Sequence, residues 1–327
     1  MCDTYEWDGI PLRDEFHRVD LIRQRFPWYF DKSIVRTDDV QAASLGQDAE
    51  EEHVTELAVE RYRNLLRGVQ RLEEIAGSQV VVLAAGAVRR PGMKREELYG
   101  ENLRVVEALA PAVARLAPQA SLIVATEPVD PITAAALRLS GLPRERVFGI
   151  GGCLDATRLR YAVARELSVS TEDVAATVIG RHSDAMIVLP RYCSVSGVSL
   201  PQLLAPQRIA ELVEEVRRAG DLIVGLAQRS SAFYAPSAAA ADLVDAVHMD
   251  LKRVLCVSVG LQGEYGVGGS AAKPSSGSVA MSLPAVIGAH GIERVLTPPL
   301  TEEELARFRQ SAADLASLAR AGQGGGR

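Results

Sequence analysis

From residue 79 onward, short apolar runs alternate with stretches in which apolar side chains recur at helical spacing, the pattern of βαβ units feeding a parallel sheet. Runs at 79–84, 121–126, 146–150 and 174–180 predict strands. The segments between them, 94–116, 131–139 and 154–167, predict helices, each bounded by Gly, Pro or polar residues. Past residue 180 the pattern becomes that of an α+β unit. Strands are expected at 185–189, 253–259, 278–287 and 292–296, around long helices at 207–228 and 237–251. The Gly/Ser-rich stretch 268–277 reads as a mobile hairpin loop, and 323–327 as a frayed tail.

The first 78 residues follow another pattern. Val54, Leu57, Ala58, Tyr62, Leu65, Leu66, Val69 and Leu72 keep a period of 3.6 residues and predict one amphipathic helix near 53–75. The acidic run 48–52 suits the positive end of its dipole. Seven of the sixteen aromatic side chains, both tryptophans among them, fall in the first 30 positions. The pattern therefore divides the chain into a divergent, aromatic and acidic N-terminal segment (1–78), a parallel βαβ part (79–152), an α+β part (153–322) and the tail (323–327).

Composition narrows the classes. The 327 residues are 47% apolar and 24% charged, which excludes a disordered, collagen-like or disulfide-scaffold protein. A net charge of −6 leaves no basic footprint for nucleic acid or an anionic membrane surface. Residues 1–78 hold 10 basic and 17 acidic side chains, the rest 26 and 25, so charge and pattern change at the same place. Cys2, Cys153, Cys193 and Cys256 are scattered, with neither disulfide-framework nor metal-ligand spacing. The N-terminus lacks a basic start followed by an apolar stretch, and no apolar run approaches the roughly 18 residues of a membrane span. A cytoplasmic location is expected.

Three segments carry chemistry when read together and in order. They are VVVLAAGAVRRPGMKREELYGEN (80–102), ATEPVDPIT (125–133), and GIGGCLDATRLRYAVARELSV leading to GRHSDAMIVLPRY (149–192). Farther on come SSAFYAPSAAAADLVDAV, RVLCVSVGLQGEYGV and SLPAVIG. Over about 79–320 the chain resembles the lactate/malate dehydrogenase family. That resemblance implies an α/β fold, here a truncated or rebuilt Rossmann-like parallel sheet plus the family's α+β C-terminal domain.

A 2-oxo or 2-hydroxy acid needs a cation fork for its carboxylate, a second cation near its carbonyl, and a group that exchanges the oxygen's proton. By resemblance, Arg158 grips the 1-carboxylate, Arg95 polarises the carbonyl from a mobile loop, His182 is the acid/base, and Asp155 orients His182. Arg89 lies where malate-preferring members hold the distal carboxylate, so a small dicarboxylate is the expected ligand, with a homodimer or homotetramer as the expected assembly. Asp155 and Arg158, three residues apart, share one helix face. The turn Pro91-Gly92-Met93 ahead of Arg95 suits a closing lid.

Other features depart from the family. No G-x-G-x-x-G turn occurs in 1–78, which contain only Gly9, Gly46, Gly68 and Gly77. Glu127 stands where the family carries an asparagine, and would place a carboxylate beside an anionic substrate unless it is protonated, pairs with Arg95 or Arg158, or does acid/base work. Arg181 precedes His182 where a small glycine is usual. Asn102, matching a residue on the cofactor side, is retained. The reading from these departures is acid/base, enolate-type chemistry by His182, Asp155, Arg95 and Glu127 with no cofactor. The alternatives are an NAD-dependent malate or lactate dehydrogenase with a diverged cofactor site, and a non-catalytic binding subunit.

Overall fold

The computed structural model describes residues 71–87, 93, 95–227, 234–268 and 279–324. The aromatic N-terminus and nearly all of the helix expected near 53–75 lie outside them, as do 269–277 of the expected hairpin loop and the end of the tail. At the C-terminal edge of that expected helix, Leu72–Ile75 forms a single 3-10 turn. Gly77 follows with φ of 73°, a backbone angle that stops a helix before the first described strand.

That strand, β1 (Val80–Leu83), lies parallel to β2 (Ser121–Val124), which lies parallel to β3 (Val147–Gly149). The connections are α1 (Tyr99–Leu116) and α2 (Val129–Ser140). Tyr99, Leu103, Val106, Ala110 and Val113 recur along one face of α1 and pack with Leu122, Val124, Ile132 and Ala136. This helix-on-sheet layer buries β2 completely, which is why that run reads as uniformly apolar. The apolar stripe of α1 begins later than the expected residue 94, because Arg95–Leu98 is a 3-10 turn.

The chain continues into α3 (Gly151–Leu167). The expected strand 174–180 divides into β4 (Val174–Ala175) and β5 (Val178–Ile179), which belong to different small sheets. β5 pairs with β6 (Ile187–Val188), while β4 pairs with β7 (Ser194–Val195), itself in a hairpin with β8 (Val198–Ser199). A single turn, α4 (Leu200–Leu203), leads to α5 (Pro206–Ala227), whose Leu212, Val213 and Val216 pack with Leu159 and Val163 of α3. After α6 (Tyr234–His248) come β9 (Arg253–Gly260), β10 (Ala280–Gly288) and β11 (Gly291–Val295), and then α7 (Glu302–Gly324).

The two halves share one sheet. Its order is β1-β2-β3-β9-β10-β11, with β9 antiparallel to β3 through Phe148 opposite Val259 and Gly149 opposite Ser258. The largest core cluster fills the space between this sheet, α6 and α7, with Phe148, Leu243, Val257, Leu283 and Phe308 at its centre. No helix among the described residues is long and apolar enough to cross a membrane. Cys153, Cys193 and Cys256 are buried and free, and burial pushes the Cys193 thiol up to about 11 and the Cys256 thiol up to about 12.

Candidate active site

The carboxyl ends of β1 and β2 meet the N-terminal end of α3 and the segment after β5. His182 lies two residues beyond Gly180, whose N–H and C=O exchange bonds of 2.9 and 2.8 Å with the backbone of Ser282 in β10. The main-chain N–H of His182 donates to Asp130 Oδ2 at 2.6 Å, and the other Asp130 oxygen accepts from Ser258 Oγ at 2.7 Å. The histidine is thus pinned through its backbone from α2, β9 and β10.

Its ring is held from α3. Nδ1 lies 2.7 Å from Asp155 Oδ2, and Arg158, one turn farther along, brings a guanidinium nitrogen within 3.6 Å of the other Asp155 oxygen. All three side chains are buried. With Nδ1–H donated to Asp155, Nε2 is the nitrogen that faces the cleft. There it meets Glu127, whose Oε1 lies 3.5 Å away on a side chain 28% exposed, against 2% for His182.

Electrostatics follow this geometry. Burial pulls the imidazole towards neutrality, but Asp155, and then Glu127, overcome it and hold His182 up at about 9. Asp130 is pushed up to about 6 by burial, against the bonds from Ser258 and His182 and the positive charges of His182 and Arg181. Arg181, half-buried, therefore acts on the carboxylate that anchors its neighbour.

Of the residues expected from the sequence, His182, Asp155, Arg158 and Glu127 come together. Arg95 opens the 3-10 turn ahead of α1, and Arg89 lies outside the described residues. Glu127 is found facing the histidine. Asn102 is fully buried, and its amide is occupied by backbone: Oδ1 accepts from Ala87 N at 2.7 Å, and Nδ2 donates to Glu127 O at 2.6 Å. It shapes the wall of the crevice and does not reach into it. Asp130 and Ser258 were missed by the sequence reading; the one signal for Asp130 is that it is the single charged residue in the run PVDPITAAAL. Among the described residues no cluster of His, Cys, Asp or Glu could hold a metal ion.

The cofactor question can be put to the crevice itself. In sheets of this kind, ligands lie outside the carboxyl ends of the parallel strands. Just past β1, Gly86 packs so closely on its neighbours that a Cβ would stand 2.7 Å from Asn102 Oδ1 and 2.9 Å from Thr126 Cγ2. The centre of the rim at residues 85–87 is therefore kept without a side chain, two hydrogen bonds by way of Asn102 from Glu127. A rim with a glycine at its centre, tied through Asn102 to the residue that faces the imidazole, fits the nicotinamide end of a dinucleotide.

Site and fold together are those of an α/β protein with a buried His–Asp pair beside the carboxyl ends of its parallel strands. Residues 30–149 match the sequence profile of the lactate/malate dehydrogenase NAD-binding domain, and 153–323 that of the family's alpha/beta C-terminal domain; the chain belongs to the lactate/malate dehydrogenase family. It is 40% identical over 268 residues to a malate dehydrogenase of Xanthobacter autotrophicus, covering 80% of this chain and 81% of that one. The solved malate dehydrogenase of Aeropyrum pernix superposes with a TM-score of 0.73 at 35% identity, covering 83% and 85% of the two chains. The Cryptosporidium parvum lactate dehydrogenase, solved with lactic acid and NAD, superposes with a TM-score of 0.74 at 29% identity, covering 84% and 85%.

These matches correct two expectations. Chemistry without a cofactor was inferred from the glycine count of 1–78, but the NAD-binding profile extends back to residue 30, well into that segment. The relatives are dehydrogenases, so neither an enolate-type reaction nor a site without a cofactor stands. The expectation failed because it rested on one short motif, whereas the profile weighs 120 residues of pattern from 30 to 149.

Proposed function

We propose that this chain is an NAD-dependent dehydrogenase that interconverts a 2-oxo and a 2-hydroxy dicarboxylate, of the oxaloacetate/malate type. The observation that carries the reading is the buried pair of His182 and Asp155, 2.7 Å apart, whose Nε2 faces Glu127, a residue tied through Asn102 to the rim at 85–87. NAD supplies the hydride exchange when bound, and the backbone of 85–87 and the wall shaped by Asn102 are the part of this chain that would hold its nicotinamide end.

The protein's own residues manage the proton and the anion. His182 Nε2 gives a proton to the substrate oxygen in reduction and takes it back in oxidation. Asp155 keeps the ring in one orientation and stabilises the imidazolium, as a buried carboxylate does for a general base. Arg158 lies on the same face of α3 and presents the cation fork for the substrate's carboxylate. Arg95 and Arg89 complete the reading from the loop side, Arg89 against the distal carboxylate. Assembly as a homodimer or homotetramer and a place in the cytoplasm belong to the same reading; light scattering and fractionation test them.

The decisive experiment follows NADH absorbance with oxaloacetate and with pyruvate. Oxaloacetate is expected to be turned over at least about tenfold more efficiently than pyruvate, because the shorter acid has no second carboxylate to pair with Arg89. His182→Asn should lower kcat by about 10²–10⁴-fold. Absence of NADH consumption with both acids, or a His182→Asn rate equal to wild type, overturns the reading.

A further inference from the structure

We infer that Glu127 is a second counter-ion for His182 that keeps the imidazole protonated in the resting site, setting the site to receive a 2-oxo acid in preference to a 2-hydroxy acid. The choice of substrate class rests on the function proposed above; the contact between Glu127 and His182 does not.

The two ring nitrogens have different neighbours. Nδ1 is fixed on Asp155 at 2.7 Å, so the state of the ring is decided at Nε2, where Glu127 Oε1 stands 3.5 Å away. A 2-oxo acid accepts a hydrogen bond from a protonated Nε2, whereas a 2-hydroxy acid must donate its O–H to a bare one. A carboxylate at that distance favours the charged form by about 1–3 pH units, and an asparagine, neutral, would not. The placement of Glu127 is built in: its carbonyl is tied to Asn102 at 2.6 Å, and its partly exposed side chain lies at the open side of the buried histidine.

Other charged groups near His182 have other duties. Asp155 and Arg158 approach from α3, and Arg158 contacts the Asp155 oxygen that the ring does not use. Asp130, from α2, binds the main-chain N–H of His182, and Arg181 acts on Asp130. From β9 and β10 the nearby groups are the neutral hydroxyls of Ser258 and Ser282. Among the described residues Glu127 is a charged group that acts on Nε2, and its effect agrees with the raised value of the ring.

The test is an NMR titration of the histidines in the protein without nucleotide, with His182 assigned by loss of its signal in His182→Gln. The chain holds five histidines, so the assignment is tractable. Glu127→Gln should lower the His182 midpoint by about one pH unit or more, and Glu127→Asp, charged but shorter, should fall between. In the same variant both pH limbs should move down together, that for oxidation of the hydroxy acid and that for reduction of the oxo acid. A midpoint unmoved in Glu127→Gln while Asp155→Asn lowers it overturns the inference. The titration requires no turnover, so it stands apart from the NADH assay: an inactive protein with a shifted midpoint counts against the dehydrogenase reading alone.

Discussion

At the scale of single residues, the site depends on close packing that leaves no room for a methyl group. A Cβ on Gly152 would stand 2.8 Å from Ser282 Cβ and 3.0 Å from the Val178 carbonyl. Ser282 is also the residue whose backbone holds Gly180, two positions before His182. Gly152→Ala is therefore expected to cost about 1–3 kcal/mol in urea unfolding and to lower turnover as well, because the strain is relieved by moving the histidine's support. An alanine variant as stable and active as wild type would show that this seam yields elsewhere. The meeting of His182, Asp155 and Arg158 was legible because short motifs carry them. The anchoring by Asp130 was not, since a bond to a main-chain N–H 52 residues away leaves no periodicity to read.

Among elements, apolar packing and surface charge contribute unequally. α3 and α5 are joined at the surface by Arg165 and Glu215 through two parallel bonds of 2.8 and 2.7 Å, and beneath them by Leu159, Val163, Leu212 and Val216. The ion pair is about four-tenths exposed on each side, so Arg165→Ala should cost no more than about 1 kcal/mol, and less in high salt. Leu159→Ala, fully buried, should cost about 2–5 kcal/mol in the same unfolding assay. Reversal of that order would mean that the helices are held by charge. β1, β2 and β3 were legible as strands because parallel strands under helices are apolar throughout. The division of 174–180 was not, because its residues look alike in sequence while β4 and β5 turn to different partners. Helix α7 was not anticipated from the sequence at all.

For the whole molecule, the buried titratable groups predict how stability varies with pH. The folded-state value of His182 stands at about 9, above its ordinary 6.5, so the native state holds this proton more tightly than the unfolded chain does. Its contribution is fully present below pH 6.5 and is lost as pH rises to about 9. Asp130, raised from 3.8 to about 6, acts with the same sign in its own lower window, where stability falls as the buried carboxyl ionises. The thermal midpoint should therefore fall between pH 6.5 and 9, with a shallower slope in His182→Gln. An equal slope in the variant would assign the trend to other groups.

The pairing of β3 with β9 also bears on how this protein can be taken apart. Cutting the chain between residues 149 and 153, where one family profile ends and the other begins, does not separate two self-contained modules. It leaves β3 on one fragment and β9 on the other, each with a row of unpaired main-chain groups that had faced a neighbour. Split reporters or swapped halves built at that junction would inherit two adhesive edges, so a graft must carry the complementary strand along with its partner.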